Sequence, residues 1–475
     1  MNSIIKYNKN FEIQRQHKIV KNAIEISLLV ILFISLPIIN AKLVRYHDAF
    51  YIQSGQISLT INGRGKTKIL NENFTPRPSK VSINNIIQNE TNYIYNFNES
   101  SNNVILYYGD TINSFENMFS DLTSIAMITF QISGTCASNF NSMFSGCTGL
   151  TSIIFHSLPV CSTFSADYLF KDCTKLTTIS LPFSTLTISS MIGMFMNCES
   201  LTSIQNLNFD INQEISMEKL FKGCSTITSI NLSSLNVNYV TDSSYMFDGC
   251  TKLNSIITFN IYFYPYYLSP IKMDYMFRKC TSLESIDFSK LKTFQATSMG
   301  YIFSGCTNLK VFEYTNFDTT NVKNMSGIFH GCSELTSINM NLFKLDSVET
   351  MSHMFEGCSK LNKIESFNNI ITISHIMDMS AMFKGCKNLE SIDLSKMNTP
   401  SLKSMNNMFK DCKNLKFVNF TNFDTSNVVS MIALFKGCNF NNFTLPKINT
   451  NSLKNISHMF EDCNNLTLIL QKLKI

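Results

Sequence analysis

The stretch MSGIFHGCSELTSIN, from Met325 to Asn339, contains the Phe-x-x-Cys motif that decides how this sequence folds. Cys332 follows Phe329 by three residues, and it precedes Leu335 by three and Ile338 by six. A single cysteine in such a setting suits a nucleophile, a metal ligand or one half of a disulfide. Its function therefore has to be judged from the rest of the chain.

The motif recurs along the chain and defines an internal repeat. Most steps between successive motif cysteines are 25 or 26 residues, with longer steps of 30 before Cys280 and 28 before Cys386, and Phe119 marks an earlier copy without the cysteine. A period of this length with Leu and Ile at fixed offsets is typical of a leucine-rich-repeat solenoid. The motif cysteines are Cys147, Cys173, Cys198, Cys224, Cys250, Cys280, Cys306, Cys332, Cys358, Cys386, Cys412, Cys438 and Cys463.

Each unit is expected to contain one short strand and one short helix. In residues 316–340, Val322, Met325, Ile328 and Phe329 have the spacing of one helix face about two turns long. The segment LTSINM that follows reads as a strand. Because one such unit cannot bury its apolar face alone, the pattern predicts an α/β solenoid, a leucine-rich-repeat array of about 14 strand-turn-short-helix units.

The repeat position of the cysteines favours a packing function. No Cys-x-x-Cys motif occurs and the seven histidines are isolated, so metal ligation is not indicated. Thirteen stacked cysteines cannot all pair with one another. We therefore expect small, soft side chains that point into the core, and no metal or other cofactor.

Cys136 and Cys161 stand outside the repeat position. They lie 25 residues apart, at the site that other units fill with Val322 or Val428. As neighbours in adjacent units they are candidates for a disulfide, and the alternative is two buried thiols in place of valine.

The N-terminal residues predict export. A basic leader over residues 1–22 precedes an apolar segment, residues 23–41, whose uninterrupted run is short for a membrane span. The segment is a cleaved signal peptide or a type II signal anchor, with a buried core helix as the third alternative. Under the first two interpretations the leader stays in the cytosol, the rest is placed at the cell surface or outside the cell, and membrane contact is made only through this segment.

Residues 42–111 lie between this segment and the solenoid, residues 112–475. QISLTINGRGKTKIL alternates apolar and polar residues around Asn62-Gly63, which predicts a hairpin, and KVSINN and NVILYY read as further strands. We expect a small β-rich N-terminal cap. Glycosylation of an exported chain would use the Asn-x-Ser/Thr sites at Asn73, Asn89, Asn98, Asn231, Asn324, Asn419, Asn442, Asn455 and Asn465.

The segments MFEGCSKLNKIESF and FTNFDTSNVVSMIALFKGC closely resemble the repeat of the BspA-like leucine-rich-repeat family, the 26-residue bacterial-surface-protein repeat. The resemblance covers about residues 112–470. It implies a surface-exposed solenoid used in adhesion or recognition, and it brings no catalytic residue with it. The two long steps depart from the family pattern.

Two features are candidate ligand-binding sites, for an extracellular protein or glycan. The insertion in the longest step contains Tyr262, Tyr264, Tyr266 and Tyr267, whose rings suit a contact loop or a locally wider core. The second is a column of acid and amide side chains, one per unit, which either receives a basic partner or is a solvated face. Its members are Asp287, Glu313, Asn339, Glu365, Asp393 and Asn419.

Composition and motifs narrow the function further. The formal net charge is only +5 and no basic stripe is present, so nucleic-acid binding is not expected. No convergent nucleophile, base and acid stand outside the repeat, so an enzyme is not expected. The sequence therefore predicts a non-enzymatic surface or secreted recognition protein, with a structural surface-coat component as the alternative.

Overall fold

A computed structural model describes residues 55–183, 185–232, 235, 239–257, 270–285, 293–312, 317–365, 371–439 and 448–463. The leader and the signal or anchor segment lie outside these ranges. Within them, no helix is long and apolar enough to cross a membrane. The chain divides into the units Met1–Gly55 and Gln56–Ile475, and the fold described here is that of the second.

Short strands account for almost all the regular structure. The N-terminal region contributes β1 (Gly55–Asn62), β2 (Gly65–Lys68), β3 (Lys80–Ile83), β4 (Ile86–Ile87), β5 (Ile94–Phe97) and β6 (Ser101–Tyr108). The repeats contribute β7 (Ile125–Ile132), β8 (Ala137–Asn139), β9 (Ser152–Ser157), β10 (Val160–Ser165), β11 (Thr178–Ser180), β12 (Thr187–Ser190), β13 (Ser203–Gln205), β14 (Ile215–Ser216), β15 (Ser229–Asn231), β16 (Val240–Asp242), β17 (Ser255–Ile257), β18 (Ile271–Lys272), β19 (Ala296–Ser298), β20 (Ser337–Asn339), β21 (Lys363–Glu365), β22 (Ile371–Thr372), β23 (Ser391–Asp393), β24 (Met397–Asn398) and β25 (Phe417–Asn419).

The N-terminal sheet continues into the first repeats. Its six strands follow the order β4-β3-β6-β1-β7-β9, so β7 and β9 of the repeats extend a sheet that begins with β1 and β3. The strands predicted in KVSINN and NVILYY are present as β3 and β6. The predicted hairpin at Asn62-Gly63 is wrong, because β2 pairs antiparallel with β5 in a separate two-stranded sheet.

The segment before each repeat cysteine is a chain of turns, and the predicted short helix is wrong. The N–H groups of Met325, Gly327, Phe329 and Gly331 donate to carbonyl groups of the next coil, at 2.7–3.0 Å. The N–H of Cys332 donates to the carbonyl of Phe329, three residues back. An α-helix would direct these bonds four residues back within its own segment. In the described residues the one helical element is the 3-10 turn Met340–Leu342.

Backbone conformation explains why the helical spacing misleads. Gly327 and Gly331 have φ angles of 59° and 72°, and Tyr301 and His353, at the place of Gly327 in their own coils, have 56° and 62°. A left-handed residue twice in eight positions interrupts any right-handed helix. The repeated unit is therefore one coil of a β-solenoid, built from turns and short parallel strands.

The core is ordered in columns along the stack. The motif phenylalanines from Phe119 to Phe460 stack face to face in one continuous series, with centroids 5.4–6.0 Å apart. Leu335 and its equivalents are fully buried beside them. Each coil therefore buries its apolar side against the coils before and after it, as stacked repeats must.

Backbone pairing between coils follows the same register. Parallel bridges join one polar residue per coil in the unbroken series Ser298, Asn324, Thr350, Asp378, Ser404, Ser430 and Asn455. On the other side, β20 pairs in parallel with β21, and β23 with β25. A side chain at a given repeat position therefore lies beside its equivalents in neighbouring coils, which makes surface columns the natural form of a binding site here.

Candidate functional site

The repeat cysteines are placed for packing and hydrogen bonding. The Sγ of Cys332 lies 3.2 Å from the carbonyl oxygen of Phe303, to which the thiol donates. Burial raises the pKa of the Cys147 and Cys306 thiols to about 12. A nucleophilic cysteine needs the opposite shift and access to solvent. Among the described residues, no group of three or more His, Cys, Asp or Glu side chains could hold a metal ion.

Cys136 and Cys161 are joined by a disulfide in the structure, with their Cα atoms 4.7 Å apart. Cys136 is exposed and Cys161 half-buried. Ala137, ten residues before its repeat cysteine, fills the buried place that Val322 fills in its own coil. The alternative of two buried thiols in place of valine is therefore wrong. That the cross-link forms in the exported protein stays a prediction.

The predicted acid and amide column lies partly within the described residues. Asn339 is in register with Glu365, and Asp393 is in register with Asn419. Glu365 and Asp393 are exposed, and the two amides are half-buried. The remaining two members, Asp287 and Glu313, lie outside the described residues.

Side chains in this column have local partners. The Oδ1 atoms of Asn339, Asp393 and Asn419 each accept the N–H two residues ahead, at 2.9, 2.9 and 3.1 Å. Glu365 forms an ion pair with Lys363 at 2.6 Å. These contacts cap the turns that follow the strands. A ligand at this column stays a prediction.

The insertion tyrosines cannot be placed. Tyr262, Tyr264, Tyr266 and Tyr267 lie outside the described residues, so their use as a contact loop or as core also stays a prediction.

The structure instead reveals an aromatic surface column that the sequence reading missed. Tyr245, Tyr275 and Tyr301 occupy the position five residues before the repeat cysteine in three successive coils. Their ring centroids are 4.7 and 5.2 Å apart, and the ring planes are within 9° of parallel. All three are half-buried. We call these three residues the tyrosine ladder. Their common offset from the cysteine was the signal that would have found them.

Cationic side chains surround one end of the tyrosine ladder. The guanidinium of Arg278 lies 5.5 Å from the ring centroid of Tyr245 and 5.1 Å from that of Tyr275. The ammonium groups of Lys222 and Lys219 lie 5.0 and 5.9 Å from the Tyr245 ring. Contacts of this kind are favourable because the ring face carries negative partial charge.

One buried carboxylate holds Arg278 and Lys222 in place, while Lys219 is paired with Glu218. Asp248 is almost completely buried and accepts two hydrogen bonds from Arg278, both 2.8 Å long, while Lys222 lies 3.5 Å away. The bond to Asp248 raises the pKa of Arg278. Burial, followed by the neighbouring Tyr275, raises the pKa of Tyr245. The Tyr245 hydroxyl therefore stays neutral near pH 7 and the Arg278 guanidinium stays charged.

A surface notch spans four coils on the N-terminal side of the tyrosine ladder. It has a volume of about 350 Å³ and is lined by Ser142, Ser145, Tyr168, Lys171, Met196 and Lys219. Lys219 thus belongs both to the notch and to the surroundings of Tyr245. We call the surface formed by the positions five and two residues before the repeat cysteines the turn face.

The columns, the parallel register and the repeat together define a leucine-rich-repeat β-solenoid. The family model "Mycoplasma protein of unknown function, DUF285" matches residues 164–262, 271–372 and 364–473, more than half of the chain. The model "BspA type Leucine rich repeat region" matches residues 67–201. The protein belongs to the BspA-like leucine-rich-repeat family, which confirms the resemblance carried by the Phe-x-x-Cys repeat.

Other comparisons add little. No curated protein matches the sequence significantly. Among solved structures, the chain is similar to TLR13 in a complex with ssRNA13, with 17% identity and a TM-score of 0.23 over 73% of this chain and 49% of that one. It is also similar to a chain of the Drosophila Toll–Spatzle complex, with 14% identity and a TM-score of 0.27 over 66% and 44%. The chain thus spans less than half of either relative, and no functional inference is taken from them.

Proposed function

We propose that this protein is a non-enzymatic recognition protein, exported to the cell surface or beyond, that binds a protein partner through the tyrosine ladder. The observation that carries the proposal is the parallel stack of Tyr245, Tyr275 and Tyr301 on the turn face, with Arg278 beside two of the rings. The BspA-like family supports a surface location.

The backbone at the tyrosine ladder has a left-handed conformation that recurs at this position along the stack. Tyr245, Tyr275 and Tyr301 have φ angles of 59°, 59° and 56°, and Ala381 and Asn407, at the same repeat position, both have 56°. This conformation therefore belongs to the coil. The proposal rests on the three rings and their stacking, not on the backbone.

The chemistry of the ladder suits a protein partner. Tyr and Arg are among the residues enriched at the centres of protein interfaces. Tyr buries a large area with only two torsions to fix, and Arg offers several hydrogen-bond donors. Stacking and the bond to Asp248 already hold these side chains in place. A partner would therefore lose little side-chain entropy here on binding.

Catalysis has no support in the described residues. The motif cysteines are hydrogen-bonded to backbone carbonyls in the core, and Cys306 has its pKa raised by burial. The cations around Tyr245 are engaged with Asp248, with Glu218 and with tyrosine rings. Elsewhere on the turn face, Ser304 Oγ lies 3.3 Å from Nδ1 of His330, but Ser304 is buried, and Glu356 near His330 is already paired with His353 and Lys384. This arrangement offers no accessible nucleophile to a substrate. We propose no cofactor.

A ligand screen tests the proposal. Purified residues 42–475 would be applied to arrayed extracellular proteins, and saturable binders compared between the parent, Tyr275→Ser and Asn407→Ser. Asn407 is the matched control because it stands at the same repeat position with a φ of 56° but away from the ladder. We expect only the Tyr275 variant to lose binding. Equal binding by all three would refute the site, and self-assembly without any saturable partner would favour a surface coat.

A further inference from the structure

The notch on the turn face lies beside the tyrosine ladder and shares Lys219 with its surroundings, but its other lining residues give it its own chemistry. Its volume of about 350 Å³ is within the range of small-molecule sites. It combines one aromatic ring, one methionine, two ammonium groups and two serine hydroxyls, from four successive coils. Neither the repeat pattern nor the family membership assigns it a ligand.

Tyr168 has no aromatic neighbour in its own column, unlike Tyr275. The equivalent residues in the coils before and after it are Ser142 and Gly193. A Cβ at Gly193 would come within 2.7 Å of ring atoms of Tyr168, so the ring lies against that backbone and would have to move if a larger residue stood there. The small residues on both sides open the space that the notch occupies.

Polar groups of the notch are available to a ligand. The side-chain hydroxyls of Ser142, Ser145 and Tyr168 make no hydrogen bond to any of the described residues. Lys171 and Lys219 are each paired with the acid next to them in sequence, at 2.7 and 2.6 Å. An ammonium group has three donors, so each lysine keeps two for another acceptor.

These groups together select for one kind of ligand. A sugar ring offers an apolar C–H face to Tyr168 and hydroxyls to the two serines. Because each lysine already has a carboxylate neighbour, the notch supplies donors with little net positive charge, which suits a singly charged carboxylate better than a doubly charged phosphate. We propose that the notch binds the carboxylated sugar unit of an acidic glycan.

The proposal is tested with full-length protein purified in mild detergent. Calorimetry and saturation-transfer NMR would compare galacturonate oligomers with the matching neutral galactose oligomers, inorganic phosphate and a diglutamate peptide. The variants are Tyr168→Ser and Lys219→Gln. Tyr168→Ser introduces the residue type that Ser142 provides at the same position of the preceding coil. The control is Lys410→Gln, which changes the residue equivalent to Lys171 in a distant coil. Thermal melting would show that each variant is folded.

We expect galacturonate oligomers to bind, Lys219→Gln to weaken binding by about tenfold, and Tyr168→Ser to abolish it, with Lys410→Gln unchanged. Equal binding of neutral oligomers would overturn the assignment of the carboxylate. Equal binding of phosphate or of diglutamate would overturn that of a sugar. Failure of galacturonate to bind at about 10 mM would overturn the site itself. Because Tyr275→Ser changes the ladder alone, loss of the protein partner in that variant and loss of the glycan are separate results.

Discussion

The thiol of Cys306 donates a hydrogen bond to the carbonyl oxygen of Phe277, 3.1 Å away and one coil earlier. The same bond, 3.0–3.2 Å long, links every motif cysteine from Cys147 to Cys463 to the phenylalanine of the preceding coil. The carbonyl of Phe277 also accepts the N–H of Cys280 in its own coil. Cysteine is therefore favoured because it is small, compatible with an apolar core and able to donate.

Alkaline pH should destabilise the fold through this column. Burial raises the pKa of Cys306 to about 12 from an ordinary value of 9.0. Between these values the folded thiol keeps its proton while the unfolded one loses it, so the unfolded state binds fewer protons. The contribution of each such cysteine to the free energy of unfolding should be fully present below pH 9. Above pH 9 the free energy of unfolding should fall by about 1.4 kcal/mol per pH unit for each such cysteine. Urea unfolding at pH 8, 9 and 10 measures the slope.

The Cys306→Ala variant provides the control for that slope. It lacks one titrating thiol, so its deficit in unfolding free energy against the parent should shrink by about 1.4 kcal/mol per pH unit above pH 9. A deficit that is the same at pH 8 and pH 10 would contradict the assignment of the slope to Cys306.

Alanine substitutions should separate the two core columns. Cys332→Ala should cost about 1–2 kcal/mol in unfolding free energy, because it removes one sulfur and one weak hydrogen bond. Leu335→Ala should cost about 2–5 kcal/mol, because it opens a cavity at a fully buried position. Elemental analysis of the parent is part of the test, since a metal lost on substituting Cys332 would refute a packing function.

Two glycines should differ sharply in their tolerance of alanine. A Cβ at Gly149 would lie 2.1 Å from the carbonyl oxygen of Thr123, which is backbone and cannot move aside cheaply. Gly331→Ala meets nothing closer than 3.7 Å and bears only the cost of a φ of +72°. We expect a loss of more than about 3 kcal/mol for Gly149→Ala and about 1–2 kcal/mol for Gly331→Ala, from urea unfolding. Similar losses would show that the coil adjusts at Gly149.

The bond between Cys136 and Cys161 should survive purification from an oxidising compartment. Peptide mapping without reductant should recover the two cysteines in one linked peptide, while the twelve buried motif thiols, Cys147 to Cys438, react with an alkylating agent only after denaturation. Replacing both cysteines with alanine should lower the unfolding free energy by about 3 kcal/mol, because the cross-link closes a loop of 25 residues. Two separate alkylated peptides from native protein would rule the bond out.

The insertion before Cys280 remains open to experiment. Replacing Tyr264, Tyr266 and Tyr267 together with Ser should leave the melting temperature nearly unchanged and abolish partner binding if the segment is a contact loop. The same variant should melt many degrees lower if the rings fill a locally wider core. Differential scanning calorimetry and the ligand screen distinguish these outcomes.

The repeat frame was predictable from the sequence because each core position is filled by the same residue type in successive coils. Phe329, Cys332 and Leu335 keep their spacing in coil after coil, and they bury the same way in each. The local backbone was not predictable from apolar spacing. Whether the N–H of Phe329 donates four residues back or to Met354 in the next coil depends on a neighbour that one unit does not contain.

The binding surface was harder to predict than the frame. The sequence offered Asn339 and Asp393 as candidates, with a solvated face as the alternative. The structure aligns each of them with a neighbour in the column, but their side-chain oxygens cap their own turns. Tyr245 and Tyr275 were missed because only the core positions repeat the same residue type, whereas this surface position also holds Gly327 and Ala381 in other coils. Whether a polar residue faces a ligand or its own backbone depends on turn geometry, which spacing alone does not give.

The continuous phenylalanine stack has a consequence for how such a chain can evolve. Phe329 meets Phe355 at 5.6 Å in almost the same way that Phe355 meets Phe383, although the second step is two residues longer. Gene duplication of one coil would therefore add one ring to the stack and leave every other ring with the neighbours it needs. The same event would add one new residue to each surface column. Where the copied coil lies between the ladder and the notch, it would also increase the distance between them. Duplication or deletion of whole coils can thus change the binding surface without altering the packing of the core.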